Sequence, residues 1–335
     1  MTNRLAAPRR GRRQWRAVAM LALLATPAAL IARPPPPAAV ATAPQTVEQQ
    51  REATLAAIDA SIGAGRLPAA ADMIGRALIS DPSPQFQLRS AELALASGDI
   101  AGAAAQFQDL IGLPDLAAAA QQGLGVARLR QGNIPAARTA LDVALALDPR
   151  LVRGWNARGV IADQQRDWKT ADQAYASAIA IDPRSAQTLT NRGYSMILRG
   201  RYAEAEPDLA AAVAIDPKLV VANTDLRFAR AMQGRYRDAF SGSSRETLAT
   251  DLNTVGFAAM ARGDRDTAET YFNRAMALNT RFDHVAWANL QYLQTDGRAR
   301  LDTSDAGIAA AEAAIHDSPK APPRPSPKPL SKSVR

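Results

Sequence analysis

Side chains that could perform acid–base, nucleophilic or metal chemistry are scarce in this chain of 335 residues. It contains two histidines, His284 and His316, and no cysteine. A metal centre or a histidine-assisted nucleophile needs several such groups close together. The glycines do not have the spacing of a phosphate-binding loop either. We therefore predict a protein that is not an enzyme and has no metal or cofactor, and we expect both histidines to cap helix ends.

The elements of the chain are indicated by a repeat of 34 residues. Glycine, alanine and an Asp-Pro pair recur at this interval between residues 118 and 219: Gly125, Gly159 and Gly193; Ala137, Ala171 and Ala205; Ala144, Ala178 and Ala212; Asp148-Pro149, Asp182-Pro183 and Asp216-Pro217. Such a period is typical of antiparallel helix pairs that bury their apolar faces only by stacking. Alternating β-branched runs are absent, so no strand is predicted.

This pattern resembles the tetratricopeptide repeat (TPR) family, which implies an all-α, right-handed α-solenoid. The residues at the family's characteristic positions are Trp155, Gly159, Ala171, Tyr175, Ala178, Pro183, Gly193, Ala205, Ala212 and Pro217. The small residues allow the two helices of a unit to approach closely. Each Asp-Pro pair should end a second helix, because the residue before proline is disfavoured in helical geometry. We expect Tyr175 to fill the space between its helix and the following unit.

Weaker copies of the unit extend the array in both directions, to about residue 51 and about residue 296. After residue 219 the next glycine position, Gly256, follows Arg227 by 29 residues instead of 34. The unit at 220–248 has therefore lost about five residues from its second helix. We predict about seven helical hairpins over residues 51–296, with a terminal capping helix near 283–296.

In this family the first helix of each unit lines the concave face, so the resemblance implies a groove there. The residues placed in it by their position in the unit are Val160, Tyr194, Ile197, Leu198, Phe228, Met232, Phe257 and Met260. The groove becomes apolar and aromatic towards its carboxyl-terminal half, which suits a helix or an extended peptide of another protein. The alternative is that these side chains are packed against neighbouring helices.

The net charge of +8 belongs to the two ends of the chain. Residues 1–50 carry seven arginines and one acid, and residues 297–335 carry seven basic residues and four acids. Between them, 26 basic residues stand against 27 acids. A repeat body without basic excess offers no groove for phosphates, so we predict no nucleic-acid binding.

The amino-terminal end has the pattern of an export signal. Six arginines precede an apolar run at 17–32, and prolines follow at 34–37. We predict a signal peptide or signal-anchor at 1–33 and a Pro/Ala-rich linker at 34–50, with the body exported: periplasmic if the signal is cleaved, or anchored in the inner membrane if it is not. The run would be about 24 Å long as a helix, somewhat short for a bilayer core of about 30 Å. A non-exported chain with a disordered arm at 1–50 is the alternative.

The carboxyl-terminal end, 297–335, is predicted to form a short helix near 303–317 and then a disordered, basic, proline-rich tail from Ser318. The tail either keeps the protein soluble or attaches it to anionic lipid, cell-wall polymer or an acidic partner.

A narrower resemblance concerns Leu124-Gly125-Val126, residues 130–133, residues 223–231 with Gly234-Arg235-Tyr236, and the shortened unit. These features are similar to TadD-type proteins of the bacterial Flp (tight-adherence) pilus system. The resemblance implies a non-catalytic interaction scaffold in the cell envelope, with the pilus secretin or other assembly components as partners. TadD-type proteins usually have a lipobox cysteine and this chain has none, so its membrane contact would be made through residues 17–32. The alternative function is a periplasmic adaptor or regulator of cell-wall enzymes.

Overall fold

The computed structural model describes residues 46–279 and 283–295. The contacts divide the chain into two parts, residues 1–48 and residues 49–335. The predicted signal segment, most of the predicted linker and the predicted tail, together with His316, lie outside the described residues. In the described ranges, no helix combines the length and the apolar character that crossing a membrane requires.

The described residues form fifteen α-helices and no strand. In chain order they are α1 (Val47–Gly63), α2 (Leu67–Ser80), α3 (Pro84–Ser97), α4 (Ile100–Leu110), α5 (Ala117–Arg130), α6 (Ile134–Leu147), α7 (Val152–Gln164), α8 (Trp168–Ile181), α9 (Ala186–Leu198), α10 (Tyr202–Ile215), α11 (Val220–Met232), α12 (Tyr236–Ala239), α13 (Leu248–Arg262), α14 (Arg265–Leu278) and α15 (His284–Gln294). They pair as seven consecutive hairpins followed by one terminal helix. The predicted all-α solenoid is confirmed.

The first helices of the hairpins form an inner layer. Each first helix from α3 to α13 packs against the first helix of the next unit, and α13 packs against α15. Among the described helices, consecutive second helices make no comparable contact. Because the first helices are the more closely spaced layer, they line the concave side of the stack.

Helix boundaries follow from local side-chain chemistry. The carboxylate of Asp167 accepts a hydrogen bond from the backbone N–H of Thr170 (3.1 Å) and so satisfies one of the free donors at the start of α8. The helix ends at Ile181, directly before Asp182-Pro183, and α10 likewise ends directly before Asp216-Pro217. Pro183 and Pro217 are exposed.

The interior is built largely from alanine. At the two alanine positions of the repeat, the side chains of Ala171, Ala178, Ala205 and Ala212 have no exposed surface. Gly193 is also buried, and a Cβ added to it would lie 2.6 Å from Cγ of Leu209. Trp155 is half-buried, and its Nε1–H donates to the carbonyl oxygen of Pro149 (2.8 Å). The approach of Leu209 to Gly193 holds the two helices of one unit together, and the bond from Trp155 to Pro149 joins a unit to the one before it.

Tyr175 packs within its own unit, so the expectation that it fills the space before the following unit is wrong. A Cβ added to Gly159 would lie 2.5 Å from the Tyr175 ring. The hydroxyl donates to Oδ2 of Asp163, 2.7 Å away on the first helix of the same unit. The ring fits because position 159 has no side chain.

Two smaller expectations also need correction. The first helix begins at Val47, inside the segment assigned to the linker. The cap of the terminal helix is Asp283, whose side chain accepts from the backbone N–H of Ala286 (3.0 Å), and His284 is the first residue inside that helix. A carboxylate provides the acceptor that free N–H groups at a helix start require.

The unit at 220–248 is short, as predicted, because α12 has only four residues. Arg227 stands at the position that glycine occupies in the preceding units, and it is buried. Its guanidinium lies 3.0 Å from the Asp251 carboxylate and 3.2 Å from the hydroxyl of Ser243. A long side chain can occupy this position because no full second helix packs over it.

Candidate functional site

Within the described residues, two depressions lie on the concave face, and first helices provide almost all of their lining. The amino-terminal depression has a volume of about 590 Å³ and is lined by parts of α1, α3, α5, α7 and α9. Its polar groups are already partnered: Arg153 donates to Glu92 (2.7 Å), and the amide of Asn191 donates to that of Asn156 (2.9 Å). Val160 lies in this depression.

The carboxyl-terminal depression, called the aromatic depression below, has a volume of about 660 Å³. Residues of α9, α11, α13 and α15 line it, with Tyr202 from the start of α10. Its apolar lining is formed by Tyr194, Ile197, Leu198, Tyr202, Phe228, Phe257 and Val285.

Aromatic rings run along the floor of the aromatic depression from one unit to the next. The ring centroids of Tyr202 and Phe228 are 6.1 Å apart with the planes at 78°, and those of Phe228 and Phe257 are 6.2 Å apart. Tyr194, Phe228 and Phe257 share one position of the repeat on successive first helices, so the stacking of units places them side by side. The ring separations of Tyr202–Phe228 and Phe228–Phe257 are those of favourable ring pairs.

One carboxylate lies in this apolar surrounding. Asp225 is half-buried, and its Oδ2 is fully buried without a hydrogen-bond partner. Among the described residues that line the depression, Asp225 alone has a charged side chain. Burial disfavours the ionised form and raises the pKa of Asp225 to about 6.

The eight residues predicted for the groove fall into three groups. Val160 lines the amino-terminal depression, and five line the aromatic depression: Tyr194, Ile197, Leu198, Phe228 and Phe257. Met232 and Met260 line neither; each is half-buried against the packed interior, Met232 beside Ala231 and Met260 beside Phe272. Tyr194, Leu198 and Phe257 are exposed, at 47%, 48% and 46%.

Asp225 and Tyr202 also line the aromatic depression, although the sequence pattern did not predict them there. Tyr202 begins a second helix, and the family rule counts only first helices, so no signal placed it in the groove. Asp225 could have been noticed as an acid between the apolar Ala222 and Leu226 on a first helix, although its lack of a partner could not be predicted from the sequence. In the two described ranges, His, Asp and Glu form no group that could hold a metal ion.

Comparison with known proteins shows repeats of a recognised kind. A family model described as tetratricopeptide repeat matches residues 55–118, 88–152 and 156–219, slightly under half of the chain. No curated protein sequence matches.

Several solved structures are similar in fold. The Cut9-Hcn1 hetero-tetramer of the APC/C matches with a TM-score of 0.56 and 14% identity, over 70% of this chain and 48% of that chain. A tetratricopeptide repeat protein from Parabacteroides merdae has a TM-score of 0.45 and 14% identity, covering 73% of this chain and 99% of its own. PilF of Pseudomonas aeruginosa has a TM-score of 0.42 and 20% identity, covering 60% and 91%. At these identities the similarity concerns the fold alone.

The matched residues coincide with the hairpins from α1 to α10, and the same helix pairing continues to α15. Residues 55–152 and 156–219 are therefore tetratricopeptide repeats, within an all-helical solenoid of the kind that serves as a protein-interaction scaffold.

Proposed function

We propose that this protein is a non-catalytic scaffold whose aromatic depression binds a segment of a partner protein. The observation that supports this is the row of exposed aromatic side chains on the concave face, with Tyr194 and Phe257 about half exposed. Large apolar side chains gathered in a concave surface are typical of binding sites, and they would gain free energy when a partner covers them.

We further propose that the scaffold acts in the bacterial cell envelope and assists assembly of the Flp pilus. The support comes from the arginine-rich, apolar amino-terminal segment and from the residues shared with TadD-type proteins, among them Leu124-Gly125-Val126 and the shortened unit. The partners would be the secretin or other components of the pilus machine.

In-cell photo-crosslinking tests both statements. A photoreactive residue at position 257 should capture a pilus component, and the same residue at position 143 should capture none. Val143 is a suitable control because it is also apolar and exposed but lies on the second helix α6. Capture of cell-wall enzymes from position 257 would instead support the adaptor function. Capture from 143 and none from 257 would contradict binding in the groove.

The variant Phe257→Glu should retain the fold and lose at least tenfold in capture. The side chain is about half exposed, so folding depends little on it, whereas binding would bury a carboxylate against apolar groups. A tenfold loss corresponds to about 1.4 kcal/mol. Capture can be measured by pull-down from cells with the partner that crosslinking identifies. Val143→Glu should leave capture unchanged. An equal loss of capture in both variants would contradict binding in the aromatic depression.

A further inference from the structure

The aromatic depression has a charge that is left without a partner. Asn191 and Asn156, 35 residues apart on neighbouring first helices, are joined by a hydrogen bond. Asp225 and Thr190 are separated by the same interval, but the Thr190 hydroxyl donates to the carbonyl oxygen of Ala186 (2.8 Å). Oδ2 of Asp225 is therefore buried without a hydrogen-bond partner.

This arrangement has the chemistry of a site for a basic side chain within an apolar segment. A lysine or arginine beside the Asp225 carboxylate would supply the opposite charge that this apolar surrounding lacks. The faces of Tyr194, Phe228 and Phe257 attract cations, and aromatic-lined grooves also bind proline-rich segments in the polyproline II conformation. The amino-terminal depression lacks this combination, since its Glu92 is paired with Arg153.

The chain itself contains a segment of matching composition. Residues 318–335 include six prolines, five basic residues and no acid. The basic residues are Lys320, Arg324, Lys328, Lys332 and Arg335. The repeat body, by contrast, has no excess of positive charge.

The chain also leaves the solenoid close to the depression. Val285 and Asn289 of α15 line it, and Asn289 lies about 9 Å along the helix axis from Thr295. The intervening residues 296–317 number 22. They would span about 33 Å as a helix and up to about 70 Å when extended, so either conformation allows the following segment to return. A segment attached at this distance has an effective concentration in the millimolar range.

We propose that residues 318–335 of the same chain bind in the aromatic depression, with a basic side chain against Asp225 and prolines against Tyr194, Phe228 and Phe257. The segment would occupy the same surface that is proposed above for the partner protein. This proposal depends on the groove being the binding face, as proposed above.

The test uses purified full-length protein with a photoreactive residue at position 257. Mass spectrometry should identify intramolecular crosslinks to residues 318–335, whereas a probe at position 143 should give none. Asp225→Asn in the same protein should reduce the yield at least fivefold, because the amide retains the shape and loses the charge. An absence of crosslinks to the tail, or an unchanged yield with Asp225→Asn, would overturn the proposal. Crosslinks that join two copies would assign the occupant to a second molecule and also overturn it.

A titration gives an independent measurement. In the full-length variant K320Q/R324Q/K328Q/K332Q/R335Q the internal segment should no longer compete. A fluorescent peptide of residues 318–335 should then bind at least tenfold more tightly than to the unmodified chain. A peptide with the same five substitutions should not bind.

If the basic peptide binds both proteins equally, the segment does not occupy the site. Because the protein is pure, this failure would leave capture of a cellular partner at position 257 unaffected, and the two proposals can fail separately.

Discussion

Asp225 lowers the stability of the folded chain as long as no basic side chain pairs with it. Its Oδ2 is buried without a hydrogen-bond partner, and burial raises the pKa of Asp225 from 3.8 to about 6. Between these values the folded protein holds a proton that the unfolded chain has released. Stability therefore falls as the pH rises through this window, and at neutral pH the folded state contains a poorly solvated carboxylate.

Replacing Asp225 with asparagine should consequently stabilise the protein at pH 7 when no basic side chain is bound to it, so the measurement uses the K320Q/R324Q/K328Q/K332Q/R335Q protein as its background. We expect the free energy of unfolding to rise by about 1–2 kcal/mol, after allowance for the partial exposure of the side chain. The difference should vanish only well below pH 3.8, where the carboxyl is protonated in both the folded and the unfolded state. Urea unfolding at several pH values measures it, with the exposed Asp109→Asn as a control that should show no such change. A destabilised Asp225→Asn variant at pH 7 would contradict this account.

For single residues, the sequence predicted the location of a side chain where the 34-residue repeat assigns it a position. It predicted little about the contacts that the side chain makes. The shared position of Tyr194, Phe228 and Phe257 placed all three on the concave side. The isolation of Asp225 was not predictable, because it depends on the hydroxyl of Thr190 being bonded within its own helix. A side-chain rotamer decides that contact, and the sequence pattern does not encode it.

Among the elements, a glycine on the first helix leaves room for a large side chain of the second helix in the same unit. On α7, Gly159 faces Tyr175 of α8, and Asp163 of α7 accepts from both the Tyr175 hydroxyl (2.7 Å) and Ser195 of α9 (2.6 Å). Burial raises the pKa of Asp163, and these two hydrogen bonds oppose that effect. The polar contacts thus connect three helices from two successive units.

Gly159→Ala tests whether packing outweighs helix propensity. Alanine is favoured over glycine in a helix by about 1 kcal/mol, but its Cβ would lie 2.5 Å from the Tyr175 ring. Overpacking of this kind costs about 1–3 kcal/mol, so we expect a lower melting temperature. Gly75→Ala is the matched control, since Gly75 is exposed within α2 with open space around it. That variant should gain about 0.5–1 kcal/mol. If Gly159→Ala and Gly75→Ala both raised the melting temperature, the contact with the Tyr175 ring would not be tight enough to destabilise the alanine variant.

The helix ends were more predictable than the contacts between helices. Asp182-Pro183 and Asp216-Pro217 follow directly after α8 and α10, because the effect of proline on the preceding residue is local. The partner of Tyr175 was assigned to the wrong neighbour. Both candidate surfaces are apolar, and only the relative placement of three helices decides between them.

For the solenoid as a whole, the shortened unit interrupts the regular alternation of long helices, because α12 has only four residues. A repeat protein is stabilised by its units and by the interfaces between neighbours, so a missing helix removes interface area. The length of this unit could be predicted from the spacing of Arg227 and Gly256. The contacts that take the place of the missing helix could not be predicted. They join Arg227 to Asp251 of the next unit and to Ser243 of the connecting turn.

The Arg227–Asp251 pair should therefore couple the last units to the rest of the solenoid. Both side chains are 6% exposed, and Asp251 also accepts from the Thr247 hydroxyl (2.8 Å). Asp251→Ala would leave the guanidinium buried without its counter-charge, which typically costs about 3–5 kcal/mol. We expect faster amide hydrogen exchange in α13, α14 and α15, measured by mass spectrometry, with exchange in α5–α8 unchanged.

The double variant Arg227→Met/Asp251→Ala tests whether the attachment of the last units depends on the opposite charges of this pair or on the packing of the side chain at position 227. It removes both charges and keeps an apolar chain of similar length at position 227, so it should recover much of the protection. If Asp251→Ala accelerated exchange equally in α5–α8, the solenoid would unfold as one cooperative body and the shortened unit would not divide it. If the double variant were no better protected than Asp251→Ala, the contribution of Asp251 would lie in its bond to Thr247 at the start of α13. The expected pattern, local loss with the single change and recovery with the double, follows only if a buried ion pair replaces the missing helix.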